Sequence, residues 1–285
     1  MERERWVQLY RLIERLGKNF QSGWKFSTVT IVTVYFWAVV NDRPIRWACQ
    51  ESSWPPDWKL RQLPSPDRMS RRLKSVAVQQ LLDAIPQEFK EPTQPVKTID
   101  SKPLVVGVCS KDRDARWGRA TGGKLLKGYK LHALWAGKRF PLASRVTAMN
   151  AQDGFAGRPL LQRLTADGCV LGDGQYDQNQ NYEEAAAHGH QLMAYPRRAG
   201  AGQGHRRQSP SRLRGLELVE AVKPWFQSVR GEVERDFSGL TSYGGGLTCL
   251  PAWVRGLARV TRWVQAKLIV NALRVTNNLT TPAMT

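Results

Sequence analysis

Two aspartates stand where short apolar runs stop: Asp100 follows Lys97-Thr-Ile, and Asp173 follows Val170-Leu-Gly. Carboxylates at neighbouring strand ends converge on one hard cation, and they repel each other unless something positive lies between them. Magnesium binds through a few carboxylates plus substrate phosphate, which suits a basic chain that grips a polyanion. A further acid has several candidates, because Glu232, Glu234 and Asp236 crowd one stretch of helix-like sequence. At helical spacing Val222, Trp225, Phe226, Val229, Val233, Phe237 and Leu240 form one apolar stripe. Arg230, Glu234 and Thr241 fall along one flank of it, Glu232 and Asp236 towards the other, and the wheel admits either flank.

Other constellations fail on their own chemistry. Gly118-Arg-Ala-Thr-Gly-Gly-Lys124-Leu125 nearly spells a phosphate-binding loop, but Leu125 stands where Ser or Thr must reach magnesium, and a charged run precedes it. His188 and His190 straddle a helix–strand junction with no third ligand nearby. Ser110 and His132 lack the turn context of a hydrolytic nucleophile.

Acids at strand ends need a sheet behind them. Val96–Ile99, Gly128–Trp135, Phe140–Ala148, Cys169–Gly172 and His190–Tyr195 read as strands, with Ala136-Gly-Lys138 as a hairpin signal. Phe155–Asp167, Asn179–His188, Leu216–Leu240 and Pro251–Arg274 read as helices. The order, three antiparallel strands and then α/β crossovers, predicts an α/β domain over 96–285. Glu88–Pro95, with two prolines, reads as its boundary.

Residues 1–95 are helical in outline. Trp6, Leu9, Tyr10, Ile13 and Leu16 recur at helical spacing up to Gly17, while 27–40 fit either a strand or a buried helix. Ser65-Pro66-Asp67 opens a helix whose buried stripe is Met69, Leu73, Val76, Ala77 and Leu81. Arg68, Arg71, Arg72 and Ser75 share another of its faces. With the short helix opened by Pro44 and the irregular 51–64, this predicts a helix-turn-helix-like reader of DNA.

Composition narrows the partner. Lys plus Arg number 43 against 24 Asp plus Glu, a net charge of +19. Residues 1–95 carry 15 basic and 10 acidic side chains, so the excess is mostly in the larger domain. Such a chain meets nucleic acid or an anionic surface. Between Arg197 and Arg214 lie six arginines and no acids around Gly200–Gly204, which reads as a loop lying on phosphate. The longest apolar-leaning run, residues 27–40, is too short for a spanning helix, and the N-terminus lacks a secretory signal. Cys49, Cys109, Cys169 and Cys249 are too far apart for a zinc knuckle and read as small buried side chains in a reducing compartment.

Four blocks then carry a resemblance. Thr98-Ile-Asp-Ser-Lys-Pro-Leu104, Lys127-Gly-Tyr-Lys-Leu-His132, Leu171-Gly-Asp-Gly-Gln-Tyr-Asp177 and Arg230-Gly-Glu-Val-Glu-Arg-Asp-Phe-Ser238 resemble, in this order, the blocks of DDE transposases from bacterial insertion sequences. Trp253-Val-Arg with Trp263-Val-Gln-Ala-Lys267 is similar to their C-terminal helix, and Met69-Ser-Arg-Arg-Leu73 to their DNA-binding helix. The resemblance implies a ribonuclease H-like mixed sheet with flanking helices, preceded by a small all-α helix-turn-helix-like domain.

It also implies an acidic triad, Asp100, Asp173 and Glu234, binding Mg2+ (Mn2+ substituting) for DNA cleavage and strand transfer. Arg230 holds phosphate, and Lys127, Lys130 and His132 join Arg68, Arg71 and Arg72 as DNA contacts. The implied partners are terminal inverted repeats and target DNA, met as a homodimer in a synaptic complex, in the cytoplasm at the nucleoid and with no membrane. Relatives carry Tyr and Lys where this chain has Gln227 and Thr241. An inactive regulatory derivative, or a nuclease on the same fold that never joins ends, are the competing readings.

Overall fold

The computed structural model describes the chain except residues 1–2, 21–22, 59, 61, 120–122, 198–207, 242–245, 248 and 281–285, and only the backbone at 232–236 and 277–280. Most of the arginine-rich loop and part of Gly118–Leu125 therefore lie outside the described residues. Contacts divide the chain into two units, one of residues 1–90, 243–247 and 262–285, the other of 91–242 and 248–261.

The first unit is helical: α1 (Arg3–Gly17), α2 (Thr28–Val40), α3 (Ile45–Ala48), α4 (Pro66–Arg72) and α5 (Val76–Ala84). Residues 27–40 resolve as helix because almost every side chain of α2 is buried, and the Ser27 hydroxyl accepts from the Thr30 N–H at 3.1 Å. Trp6 and Trp54 pack on Trp37, with centroids 4.8 and 4.9 Å away. The helix expected from Ser65 through Leu81 is two helices. It stops at Arg72, and Ser75, its hydroxyl bonded to the Arg72 carbonyl, starts α5. Arg68, Arg71, Arg72 and Ser75 therefore do not share one continuous helical face.

The second unit is a six-stranded mixed sheet: β1 (Val96–Val105), β2 (Arg116–Arg119), β3 (Leu125–Trp135), β4 (Ala143–Ala148), β5 (Gly168–Gly172) and β6 (His190–Ala194). The order is β2-β3-β1-β5-β6, with β4 also pairing β3; β1, β5 and β6 are parallel. Helices α6 (Asp153–Leu161) and α7 (Asn179–Ala187) cover one face, and α8 (Pro210–Ala221) and α9 (Lys223–Gly239) the other. Strand alternation sorts the core. Ile99, Leu134, Val170 and Leu192 go to the α6 side, and Leu171 and Met193 join Val219 and Phe226. The single helix expected over 216–240 is α8 and α9, which meet at Val222.

The last helix, α10 (Leu257–Thr280), begins in the second unit and continues in the first. At its start the buried Asp112 carboxylate accepts from Tyr129 Oη (2.7 Å) and Gly256 N–H (3.0 Å), and Asp114 accepts from Leu257 N–H (2.8 Å). Within the first unit, Lys267 on α10 is 3% exposed and donates to the Val39 carbonyl (2.8 Å) and to Asp42 (2.6 Å). That ammonium meets the C-terminal, negative end of α2. No described helix is long and apolar enough to cross a membrane. The cysteines are less buried than expected, Cys109 and Cys249 being exposed.

Candidate active site

The strand carrying Asp100 does not end there. β1 runs on to Val105 because β3 keeps pairing with it, Asp100 lying opposite Ala133. What ends is its parallel neighbour: β5 pairs β1 only from Val96 to Thr98, opposite Cys169 to Leu171. From Ile99 onwards that edge of β1 is open. Continued by two residues, the same register sets Asp173 beside Asp100. Asp100 Oδ1 accepts from the Ser101 N–H at 2.7 Å, and Asp173 Oδ1 from the Gln175 N–H at 2.9 Å, capping the turn Gly174–Tyr176.

Helix α9 closes this face from above. Phe226 stacks edge-on to Tyr195 (4.9 Å) and Phe237 edge-on to Trp135 (6.0 Å), as the apolar stripe predicts, although Trp225 stays 42% exposed. Between those anchors sits Arg230, whose positive charge acts on both Asp100 and Asp173. Glu234 is one turn further along the α9 backbone; its side chain, with those of Glu232 and Asp236, lies outside the described residues.

Burial raises the Asp100 carboxyl to about 6, the charges of Asp173 and Asp153 adding to the rise against Ser101 and Arg230. Asp173 is raised by burial too. Two oxygen donors that burial and mutual repulsion both disfavour as anions fit a hard divalent cation, which would relieve both penalties. Among the described residues no group of three or more His, Cys, Asp or Glu stands ready to hold a metal.

The basic side chains of β3 divide between two faces. Alternation puts Lys127 on the Asp100 face, where Nζ donates to the Ser110 carbonyl at 2.6 Å. Lys130 and His132 point to the α6 face. Lys130 Nζ donates to Asp153 Oδ1 (2.8 Å) and to the Ala151 carbonyl (3.3 Å). His132 is fully buried, its Nε2 2.8 Å from Thr147 Oγ1 and its Nδ1 3.8 Å from Asp153 Oδ1. Thr147 Oγ1 itself donates to the Ala148 carbonyl, so it accepts from His132, and burial holds the ring neutral.

Asp153 is the residue that sequence reasoning missed. The available signal was an acid opening the helix after β4, but that helix was expected to start at Phe155. Its neighbours explain its place: a Cβ on Gly157 would lie 2.5 Å from Tyr176 Cε1, so only glycine lets α6 pack this close to the turn after Asp173. Tyr176, 1% exposed, lies beneath the Asp173 turn, as expected of a packing residue.

In the first unit, Arg68 and Arg71 are exposed, whereas Arg72 is 5% exposed with its guanidinium 5.3 Å over the Trp24 ring. Arg68 lies 5.2 Å over Phe26.

Comparison with known proteins agrees with this geometry. No curated protein matches the chain. Among solved structures, the cryo-EM structure of the piggyBac transposase synaptic complex with hairpin DNA is similar at 9% identity and a TM-score of 0.50, covering 96% of this chain and 75% of that one. That likeness concerns the fold, and the mixed sheet with its flanking helices is ribonuclease H-like. A family model described as the transposase DDE domain matches residues 91–270, a span that takes in every strand, the paired aspartates and α9. Because that match spans more than half of the sequence, the chain belongs to the transposase DDE-domain family.

Proposed function

We propose that the chain is the transposase of a bacterial insertion sequence, cutting DNA at the ends of its element and joining those ends to target DNA. The observation that carries this reading is the register of β1 and β5, which brings Asp100 and Asp173 side by side at an open strand edge under Arg230. Asp100, Asp173 and Glu234 would hold Mg2+, or Mn2+ in its place. When bound, the metal pair supplies Lewis-acid polarisation of the phosphate and a nucleophile active at neutral pH.

The chain's own part is positioning. Asp100 and Asp173 are fixed by backbone N–H groups, so their oxygens are set before DNA arrives. Arg230 offers a planar fork to the non-bridging oxygens of the scissile phosphate. Water attacks phosphorus in line and frees a 3′-hydroxyl; that hydroxyl attacks a target phosphodiester, and the target's own 3′-oxygen leaves. Arg68 and Arg71 contact the inverted repeats from the helical unit of residues 1–95, and Arg72 supports them from beneath. Lys127 and Lys130 contact phosphate around the site, while His132, buried and neutral, acts by packing. The sheet-bearing unit makes up the catalytic part, a homodimer brings two ends together in the synaptic complex, and the protein works at the nucleoid in the cytoplasm.

The test is a single-turnover assay on end DNA with Mg2+, followed by addition of target DNA. Cleavage and joined products are expected from the wild type and neither from Asp100→Asn or Asp173→Asn, with end binding retained. Cleavage in excess chelator would overturn the reading, and cleavage without joining would make the protein a nuclease.

A further inference from the structure

We propose that Asp153 is a positioning residue for the reaction: it holds the Lys130 ammonium beside the end of β5, so that the remaining N–H of Lys130 bonds a non-bridging oxygen of the phosphate gathered at Asp100 and Asp173. This rests on the reading of those two aspartates as the catalytic pair.

The geometry has three parts. An ammonium has three donors, and Lys130 spends two of them, on Asp153 Oδ1 at 2.8 Å and the Ala151 carbonyl at 3.3 Å. The side chains of both partners are only 12% exposed, so Lys130 is held in one direction by a carboxylate with little water around it. A buried pair of this kind fixes geometry more than it stabilises. Asp153 in turn is fixed by the close approach of α6, where Gly154 and Gly157 abut the chain that follows Asp173. One turn of chain thus sets both the catalytic Asp173 and the holder of Lys130.

Lys130 stems from the sheet face opposite Asp100, and β1, which lies between β3 and β5, continues past both. Past Gly172, however, β5 has ended, so among the described residues the edge of β1 that carries Asp100 is uncovered, and the two faces meet around that edge. The charge of Lys130 reaches the Asp173 carboxyl there, and that of Asp153 reaches both Asp173 and Asp100. A phosphate seated on the two aspartates therefore comes within the field of a directed, partly used cation.

The experiment is a double-mutant cycle on the full chain with end DNA and Mg2+, using Asp153→Asn, Lys130→Met, the double variant and Asp100→Asn. End-DNA affinity, single-turnover cleavage, its Mg2+ titration and thermal melting are read for each. Each single variant is expected to slow cleavage roughly 10- to 100-fold at saturating DNA and metal, the cost of a misdirected group. Half-saturating Mg2+ stays unchanged in the Asp153 variant, and the double variant is no slower than Lys130→Met. Should Asp153→Asn melt early, Asp153→Ser replaces it in the same cycle with the same expectations. Multiplying losses, a wild-type rate in the Asp153 variant, or a raised Mg2+ requirement in that variant alone would each overturn the inference. An active Asp100→Asn would instead defeat the reading of the catalytic pair.

Discussion

Replacing Asp100 with asparagine should make the metal-free protein more stable while ending cleavage. The carboxyl is raised from 3.8 to about 6, chiefly by burial. At about 1.4 kcal/mol per pKa unit, a shift of roughly two units means that the ionised group costs the fold about 3 kcal/mol. The sign follows from proton linkage. The unfolded chain ionises near pH 4 and the folded one near 6, so the penalty is absent below pH 4, grows between 4 and 6, and is complete above 6. Asparagine keeps an oxygen to accept the Ser101 N–H but carries no charge. In chelator at pH 8 the variant should melt several degrees higher than the wild type, given about 2–4 °C per kcal/mol for chains of this size class. At pH 4 the two should melt together. Mg2+ should raise the melting temperature of the wild type at pH 8 and narrow the gap. Thermal melts at the two pH values decide it: a variant less stable at pH 8, or a gain equal at both pH values, would refute burial of an unrelieved charge at Asp100.

Glu234→Gln should eliminate metal-dependent cleavage of pre-bound ends while Glu232→Gln keeps a substantial part of it; the reverse ranking would mean that α9 presents its other flank. Arg68→Ala with Arg71→Ala should weaken end binding in a mobility shift at fixed salt without lowering the melting temperature, by roughly 1–3 kcal/mol for each arginine that reads a base. Arg72→Ala should do the opposite first, lowering the melting temperature by removing a guanidinium packed on Trp24. Gly157→Ala would put a Cβ 2.5 Å from Tyr176 Cε1 and 3.1 Å from Ile99 Cδ1, and such overpacking costs about 1–3 kcal/mol, so cleavage and melting temperature should both fall.

The parallel strands are legible in the sequence because β5 and β6 are short apolar runs bounded by turns, and Asp173 stands visibly at the end of one. β2 is not legible, since Arg116-Trp-Gly-Arg119 is polar and short; it forms by pairing with the long β3. Asp100 reads as an acid at a strand end, and the structure does not bear that out. Its own strand continues, and the edge exists because a neighbour stops, which is a fact of register and invisible locally. The arginine face of residues 68–75 fails for the opposite reason. A helical wheel assumes an unbroken helix, and the Leu73–Ser75 turn breaks it between Arg72 and Ser75. Asp153 escapes notice because an acid in the first turn of a helix already has an ordinary explanation.

The division of α10 between the two units bears on the order in which the protein is made. The helical unit is discontinuous in sequence: Lys267 seats the end of α2, and Gln265 bonds the Leu82 carbonyl and Asp83. A ribosome that has released residues 1–90 has released a unit without one of its helices, and the entire sheet must emerge before α10 can fill the gap. Completion of the helical unit thus waits on synthesis of the whole sheet, so the two units cannot be finished in simple order along the chain.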